Sequence, residues 1–192
     1  MISPRNYDSY DEYARQQIEK TTDPVRREKW LGVEWQVKLD GFRAIFERHR
    51  SRLGESALCV GARTGQEVQA LLDIGIQAVG IDLIPCEPLV RTGDMHALDF
   101  EDSSFDFVFS NVFDHALHAD RFVSEMERAC RPTGHILLQF RIDLSQDQYT
   151  ATVVNDVSRE VVPLFQASEV IHDRAIPKNF VAMNHELLLR RT

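Results

Sequence analysis

The spacing of apolar and polar residues divides the chain into two textures. Over residues 7–53 the apolar positions recur at helical intervals, and no strand is convincing. "YDSYDEYARQQIEK" reads as a first helical segment, broken at "TTDP", where Pro24 suits a new helix start because its missing N–H would be unpaired there anyway. Trp35, Leu39, Phe42 and Phe46 then follow at spacings of four, three and four, which predicts one buried helix face. From residue 57 short apolar runs take over: "ALCV" (57–60), "AVGIDL" (78–83), "LVRTGD" (89–94), "FDFVFSN" (105–111) and "HILLQF" (135–140). Helical patterns lie between them, an alternation that predicts an α/β fold with a largely parallel sheet and helices on both faces.

The helix predicted over 119–131 places Phe122, Val123, Met126, Ala129 and Cys130 on one side. It stops at "RPTG", where Pro132 and Gly134 predict a turn before the next strand. "SREVVPLF" (158–165) is helical in part, limited by Pro163, while "SEVIHDRAI" (168–176) and "FVAMNHELLLRR" (180–191) predict two closing strands, antiparallel to each other. The expected organisation is a helical extension, residues 1–54, acting as a cap or lid, followed by one compact unit, residues 55–192.

Composition narrows the function. With 192 residues the chain can bury a sizeable core in one domain. No apolar run approaches the roughly 18 residues of a membrane span, and the first residues lack the apolar centre of a secretory signal. Cys59, Cys86 and Cys130 are odd in number and form no C-x-x-C pair, so they read as reduced cysteines of a cytoplasmic protein, with no metal site expected. His96 and His118 lack partners at metal-ligand spacing and are expected at the surface or at helix caps. The net charge of −8 argues against nucleic acid as a partner. Residues 1–56 hold 11 Lys and Arg against 10 Asp and Glu, leaving 11 against 20 for the rest. The one basic concentration, "ERHRSRL" (47–53), fits the last turn of a helix, where cations meet the negative dipole end.

Chemistry concentrates at "CVGARTGQEV" (59–68), between a predicted strand and a predicted helix. A dinucleotide loop starting at Gly61 would need glycine at 63 and 66, so that pyrophosphate can rest on exposed N–H groups. The chain has Arg63 and Gln66 instead, and Glu67 in the helix's first turn would repel phosphate. A P-loop is excluded because no G-K-S or G-K-T follows. The loop is suited to a ligand without phosphates.

The segments "LCVGARTGQEV", "AVGIDL", "RTGDMHALDFEDSSFDFVFSN" and "RPTGHILLQF", in this order and spacing, resemble the class I S-adenosylmethionine (SAM)-dependent methyltransferases, in particular the small-molecule, type 11-like domain. The resemblance covers about residues 55–140. It implies a Rossmann-like, seven-stranded, mostly parallel sheet with an antiparallel last strand, and methyl transfer from SAM. It also implies site roles. Gly61, Ala62, Arg63 and Gly65 would bring backbone close to the methionine and ribose portions. Asp82, with Leu83 beside it, would accept from the ribose hydroxyls; Asp94 would accept from the adenine amino group, with Met95 against the ring. Asn111 would stand near the methionine ammonium and the sulfur.

Two departures matter. Cys59 stands where the family has an acid, which removes a charged partner for the ammonium or a group that orders the loop. Arg63 replaces the middle glycine, and either pairs with the methionine carboxylate or fills the pocket. Methyl transfer is an in-line displacement that depends mainly on positioning, helped by a base when the acceptor carries a proton. Asp114 and His115 in "NVFDHALH" are the candidates; the alternative has Asp114 capping the next helix and His115 at the surface. Tyr10, Tyr13 and Trp35 are lid candidates, with ordinary packing the better expectation for Trp35. The reading is methyl transfer to a small-molecule acceptor, with a protein acceptor still open. Its rival is a non-catalytic SAM-binding sensor or partner module. The acceptor and the oligomeric state are not legible in the sequence.

Overall fold

The computed structural model describes residues 3–4, 7–142 and 149–192. Three helices come first: α1 (Tyr10–Thr22), α2 (Pro24–Leu31) and α3 (Trp35–Arg48). The breaks between them are chemical. Ser9 caps α1 by accepting from the Glu12 N–H, and Asp23 caps α2 from the Arg26 N–H, with Pro24 in its first turn. A two-residue strand, β1 (Ser3–Pro4), pairs antiparallel with β7 (Thr152–Val153), tying the extension to the following unit.

The main sheet contains β2 (Ser56–Val60), β3 (Gln77–Asp82), β4 (Val90–Thr92), β5 (Phe105–Ser110), β6 (Cys130–Phe140), β8 (Ser168–Ala175) and β9 (His185–Arg191). Its order is β4-β3-β2-β5-β6-β9-β8. Every pair is parallel except those made by β9, which is antiparallel to both β6 and β8. The helices α4 (Gln66–Asp73), α5 (Ala119–Ala129) and α6 (Val157–Glu160) complete the chain. This is the Rossmann-like, seven-stranded architecture expected, with the last strand inserted antiparallel.

Because side chains alternate along a strand, each central strand feeds two cores. On one face Leu58, Val108 and Ile136 pack against Phe122 and Met126 of α5. On the other Cys59, Phe107 and Phe109 meet Phe42 and Phe46 of α3 and Leu71 of α4. Phe46 stands edge-on to Phe109, with ring centroids 5.2 Å apart. Leu39, Phe42 and Phe46 thus form the buried face the spacing predicts, while Trp35 is only partly buried.

Three local expectations change. "RPTG" is not a turn: β6 begins at Cys130, directly after α5, and its pairing with β5 slips between Phe105 and Phe107. Pro132 and Gly134 are absorbed into this bulge, and Thr133 takes a φ of +69°. The strand expected over 89–94 keeps three residues, because Asp94 and Gly93 turn away to build the site. The strand expected over 180–191 begins at His185, since Asn179 turns the chain by accepting from the Val181 and Met183 N–H groups. The crevice forms where β2 lies between β3 and β5, the point at which successive connections leave in opposite directions.

Candidate functional site

The loop after β2 is folded by its own backbone. The N–H groups of Gly61 and Ala62 both donate to the Ile81 carbonyl at 2.9 Å, and Gly65 donates to Ala62 at 2.7 Å. Gly61 has φ +78°, and a Cβ there would lie 2.2 Å from Val112 Cγ2; Gly65 has φ +88°, and its Cβ would lie 2.7 Å from Leu89 Cβ. Both positions therefore require glycine. Between them Arg63 holds φ +48°, a left-handed conformation that costs a side-chain-bearing residue about 1–2 kcal/mol. Its guanidinium sits over the Trp30 indole, 4.5 Å from the ring centroid, which draws the side chain against α2.

Asp82 ends β3 beneath this loop. One carboxylate oxygen accepts from the Arg63 N–H at 3.0 Å and the other from the Ile84 N–H at 3.3 Å. Burial pushes its pKa up, while these bonds and the Arg63 charge pull it back. Asp94 is held more tightly. Its Oδ1 accepts from both the backbone N–H and the Nδ1–H of His96, and its Oδ2 accepts from the Tyr10 hydroxyl. The Nε2 of His96 accepts from the His118 N–H at 3.2 Å, which fixes the proton on Nδ1. Against burial, the donors from His96 and Tyr10 bring the Asp94 pKa down to about 2. His96, expected at the surface, is buried: α1 covers it.

A cleft of about 520 Å³ runs along these groups. Gly61, Asp82, Leu83, Asp94 and Met95 form its sheet side, and Tyr13, Gln17, Lys20 and Thr21 of α1 close it from above. A second cavity of about 530 Å³ shares Gly61, Arg63, Val112 and His115 with the first. Lys38, Glu67, Asn111 and Asp114 give it a polar wall; Phe42, Val181 and Met183 give it an apolar one.

His115 stands where the two meet. Its Nδ1 donates to the Tyr149 carbonyl at 3.0 Å, so Nε2 carries the lone pair that faces the Lys20 ammonium, also at 3.0 Å. Burial first, with the Lys20 charge adding to it, lowers its pKa and keeps the ring neutral, although nearby Asp114 opposes this. Asp114 lies 4.0 Å from Nε2 and lines the second cavity rather than capping α5. Glu67 is 6% exposed in the first turn of α4. Burial pushes its pKa up to about 7 against the pull of Arg63 and Lys38.

Residues 58–138 match the family model described as a methyltransferase domain. The matched stretch covers less than half of the chain. Among solved structures, the chain is similar to the 1,6-didemethyltoxoflavin-N1-methyltransferase of Burkholderia thailandensis, determined with 1,6-didemethyltoxoflavin and S-adenosylhomocysteine bound. That match has a TM-score of 0.73 at 15% identity and covers 100% of this chain and 95% of the other. A SAM-dependent methyltransferase from Aquifex aeolicus matches with a TM-score of 0.63 at 14% identity, covering 88% and 99%. One from Methanosarcina mazei matches with 0.62 at 17% identity, covering 75% and 96%. No curated protein sequence matches the chain.

Within this methyltransferase fold the residues singled out by sequence come together. Of the cofactor and base candidates, all but Gly65 line one cavity or the other. Tyr10 and Tyr13 do reach the site: Tyr10 holds Asp94, and Tyr13 donates to the His115 carbonyl at 2.8 Å. Trp35 does not line either cavity. Sequence reasoning missed Lys20, Trp30 and Lys38, because helices with scattered polar residues carry no sign of what they cover. It noticed Glu67 only as a charge hostile to phosphate; an acid opening an otherwise apolar helix face was the available signal. Among the described residues no three His, Cys, Asp or Glu side chains gather as a metal site, and no helix is long and apolar enough to cross a membrane.

Proposed function

We propose that this chain transfers the methyl group of SAM to a small-molecule acceptor held in the second cavity. The observation that carries the reading is the junction of two cavities at Gly61 and Arg63, one walled by Asp82 and Asp94, the other by Asp114 and an apolar face. SAM, when bound, supplies a methyl on a sulfonium that needs only an aligned nucleophile. Asp82 uses two of a carboxylate's roughly four acceptor positions on backbone N–H groups, leaving capacity for ribose hydroxyls. Asp94 accepts one hydrogen bond on Oδ2 and has room there for the adenine amino group, with Met95 and Leu83 offering apolar contact to the ring. The loop Gly61, Ala62, Arg63 and Gly65, together with Asn111, serves the methionyl end. The close fit of the glycines supports it: neither Gly61 nor Gly65 has space for a Cβ.

Asp114 takes the acceptor's proton from the second cavity, with neutral His115 behind it. The small-molecule acceptor is supported by the Burkholderia enzyme, which matches along the whole chain and binds one. Residues 1–54 act as a lid through α1, and the unpaired Cys59, Cys86 and Cys130 fit a reducing cytoplasm. One observation favours the second reading, a SAM sensor without transferase activity: both His115 nitrogens are already engaged.

Thermal-shift titration with SAM, S-adenosylhomocysteine and NAD tests the ligand, since a compound selective for the folded state raises Tm. Stabilisation by NAD but not by SAM would refute the reading. Methyl transfer to pooled metabolites, abolished in Asp82→Ala and Asp114→Asn, then separates enzyme from sensor.

A further inference from the structure

The second cavity owes most of its apolar wall to a short loop before β9. Asn179 folds this loop: its Oδ1 accepts from the Val181 and Met183 N–H groups at 3.1 and 2.9 Å, and its Nδ2 donates to Gln139, which is buried in β6. Ala182 holds φ +66°, a left-handed conformation that costs an alanine and is kept here by those bonds. Val181 and Met183, on either side of it, line the cavity together with Phe42.

Phe180 fixes where this wall stands. Its ring lies edge-on to Phe42, with centroids 4.9 Å apart and planes at 87°. It also rests on the backbone of α3 at Gly41, where a Cβ would come 2.1 Å from Phe180 Cδ1. Glycine inside a helix lowers its stability relative to alanine, so α3 gives up helix propensity to seat the ring. The polar wall restricts charge. Among the described residues its cations are Lys38 and Arg63. Both are engaged: Lys38 Nζ is 2.7 Å from Glu34, and the Arg63 guanidinium lies over Trp30. Asp114 lines the same cavity, and its carboxyl stands 4.0 Å from His115 Nε2, beyond hydrogen-bond reach. An anionic acceptor would meet an acid there and no unengaged cation, and burying an unpaired charge is costly.

We propose that the loop 179–183 selects the methyl acceptor, admitting an uncharged ring compound, and that Phe180 seated against Gly41 sets the spacing of the apolar wall. This rests on the methyl-transfer reading above and names the class of acceptor for that site. Phe180 is a positioning residue, acting through Phe42, Val181 and Met183. A flat ring suits a wall of one phenyl, one thioether and one isopropyl group. A hydroxyl or ring N–H on its edge then meets Asp114.

Isothermal titration calorimetry of the full chain saturated with S-adenosylhomocysteine at pH 7 tests this with 2-naphthol and 2-naphthoate, one ring system carrying either a neutral hydroxyl or a carboxylate. 2-Naphthol is expected to bind, and 2-naphthoate to bind at least tenfold more weakly. Met183→Trp weakens 2-naphthol at least tenfold, and Phe180→Ala and Gly41→Ala each at least fivefold, while S-adenosylhomocysteine stays within twofold in all three. Alanine favours the helix, so a loss in Gly41→Ala does not come from a weakened α3. Gly41→Ala and Phe180→Ala together lose no more than the larger single loss, because both undo the same contact. The assignment is overturned by 2-naphthoate binding as tightly as 2-naphthol, by no 2-naphthol binding to wild type, or by Met183→Trp without effect. Additive losses from Gly41→Ala and Phe180→Ala, or equal losses for 2-naphthol and S-adenosylhomocysteine, overturn it too. Wild type that fails to bind S-adenosylhomocysteine fails the SAM reading itself, a separate outcome.

Discussion

Arg63 offers a test in which the usual order of two substitutions should invert. Elsewhere in a chain, glycine lowers stability relative to alanine by about 0.5–1 kcal/mol, because its unfolded backbone has more freedom to lose. At φ +48° alanine keeps the left-handed cost of about 1–2 kcal/mol, and glycine does not. Both variants lose the stack on Trp30, about 1–2 kcal/mol for a partly desolvated cation over an indole. Arg63→Ala should therefore cost about 1–2 kcal/mol and Arg63→Gly about 0.5–1 kcal/mol less than that, the difference being left-handed relief minus glycine entropy. Urea unfolding of both variants gives the comparison from their midpoints at a common slope. Trp30→Ala should then cost less in each variant than in wild type by the worth of the stack, the loss of the buried indole's packing being common to all three. An Arg63→Ala protein more stable than Arg63→Gly would refute the claim that this loop retains a glycine conformation around an arginine.

Gly61→Ala should destabilise by about 2–5 kcal/mol, combining the left-handed cost with overpacking against Val112; Val112→Ala in the same chain should recover the steric part, and additive losses would speak against the clash. The proton on Glu67 makes stability depend on pH. Its folded pKa of about 7 lies above the ordinary 4.5, so the folded state binds the proton more strongly. That contribution is full below pH 4.5 and fades as pH rises to 7, by about 3 kcal/mol. Wild type measured against Glu67→Gln should show this decline, whereas parallel curves would exclude a raised pKa. Tyr10→Phe should let the Asp94 pKa climb from about 2 toward 3.8, followed by carboxyl NMR, and an unchanged value would mean that the hydroxyl bond is not formed in solution.

The strands were legible because each central one carries apolar residues on both faces, a run that only a covered parallel sheet accommodates. The glycine loop, Asp82 and Asp94 were legible for a related reason: their places follow from strand ends, and a strand end is set by a few neighbouring residues. The bulge at "RPTG" escaped, since Pro132 and Gly134 suit a turn and a bulge equally and the pairing with β5 decides between them. Asn179 likewise ended an apolar pattern that alternation alone would have continued.

What the chain's order of residues determined by itself is local: which segments are strands and where the loop must turn. Only the tertiary structure decided which helices close the site. Lys20, Trp30 and Lys38 lie on helices that precede the sheet by tens of residues, and their contacts with His115, Arg63 and the second cavity arise from packing between elements. The same holds for the charge state of Glu67, because a pKa depends on burial and neighbours, neither of which is written in the nearby sequence.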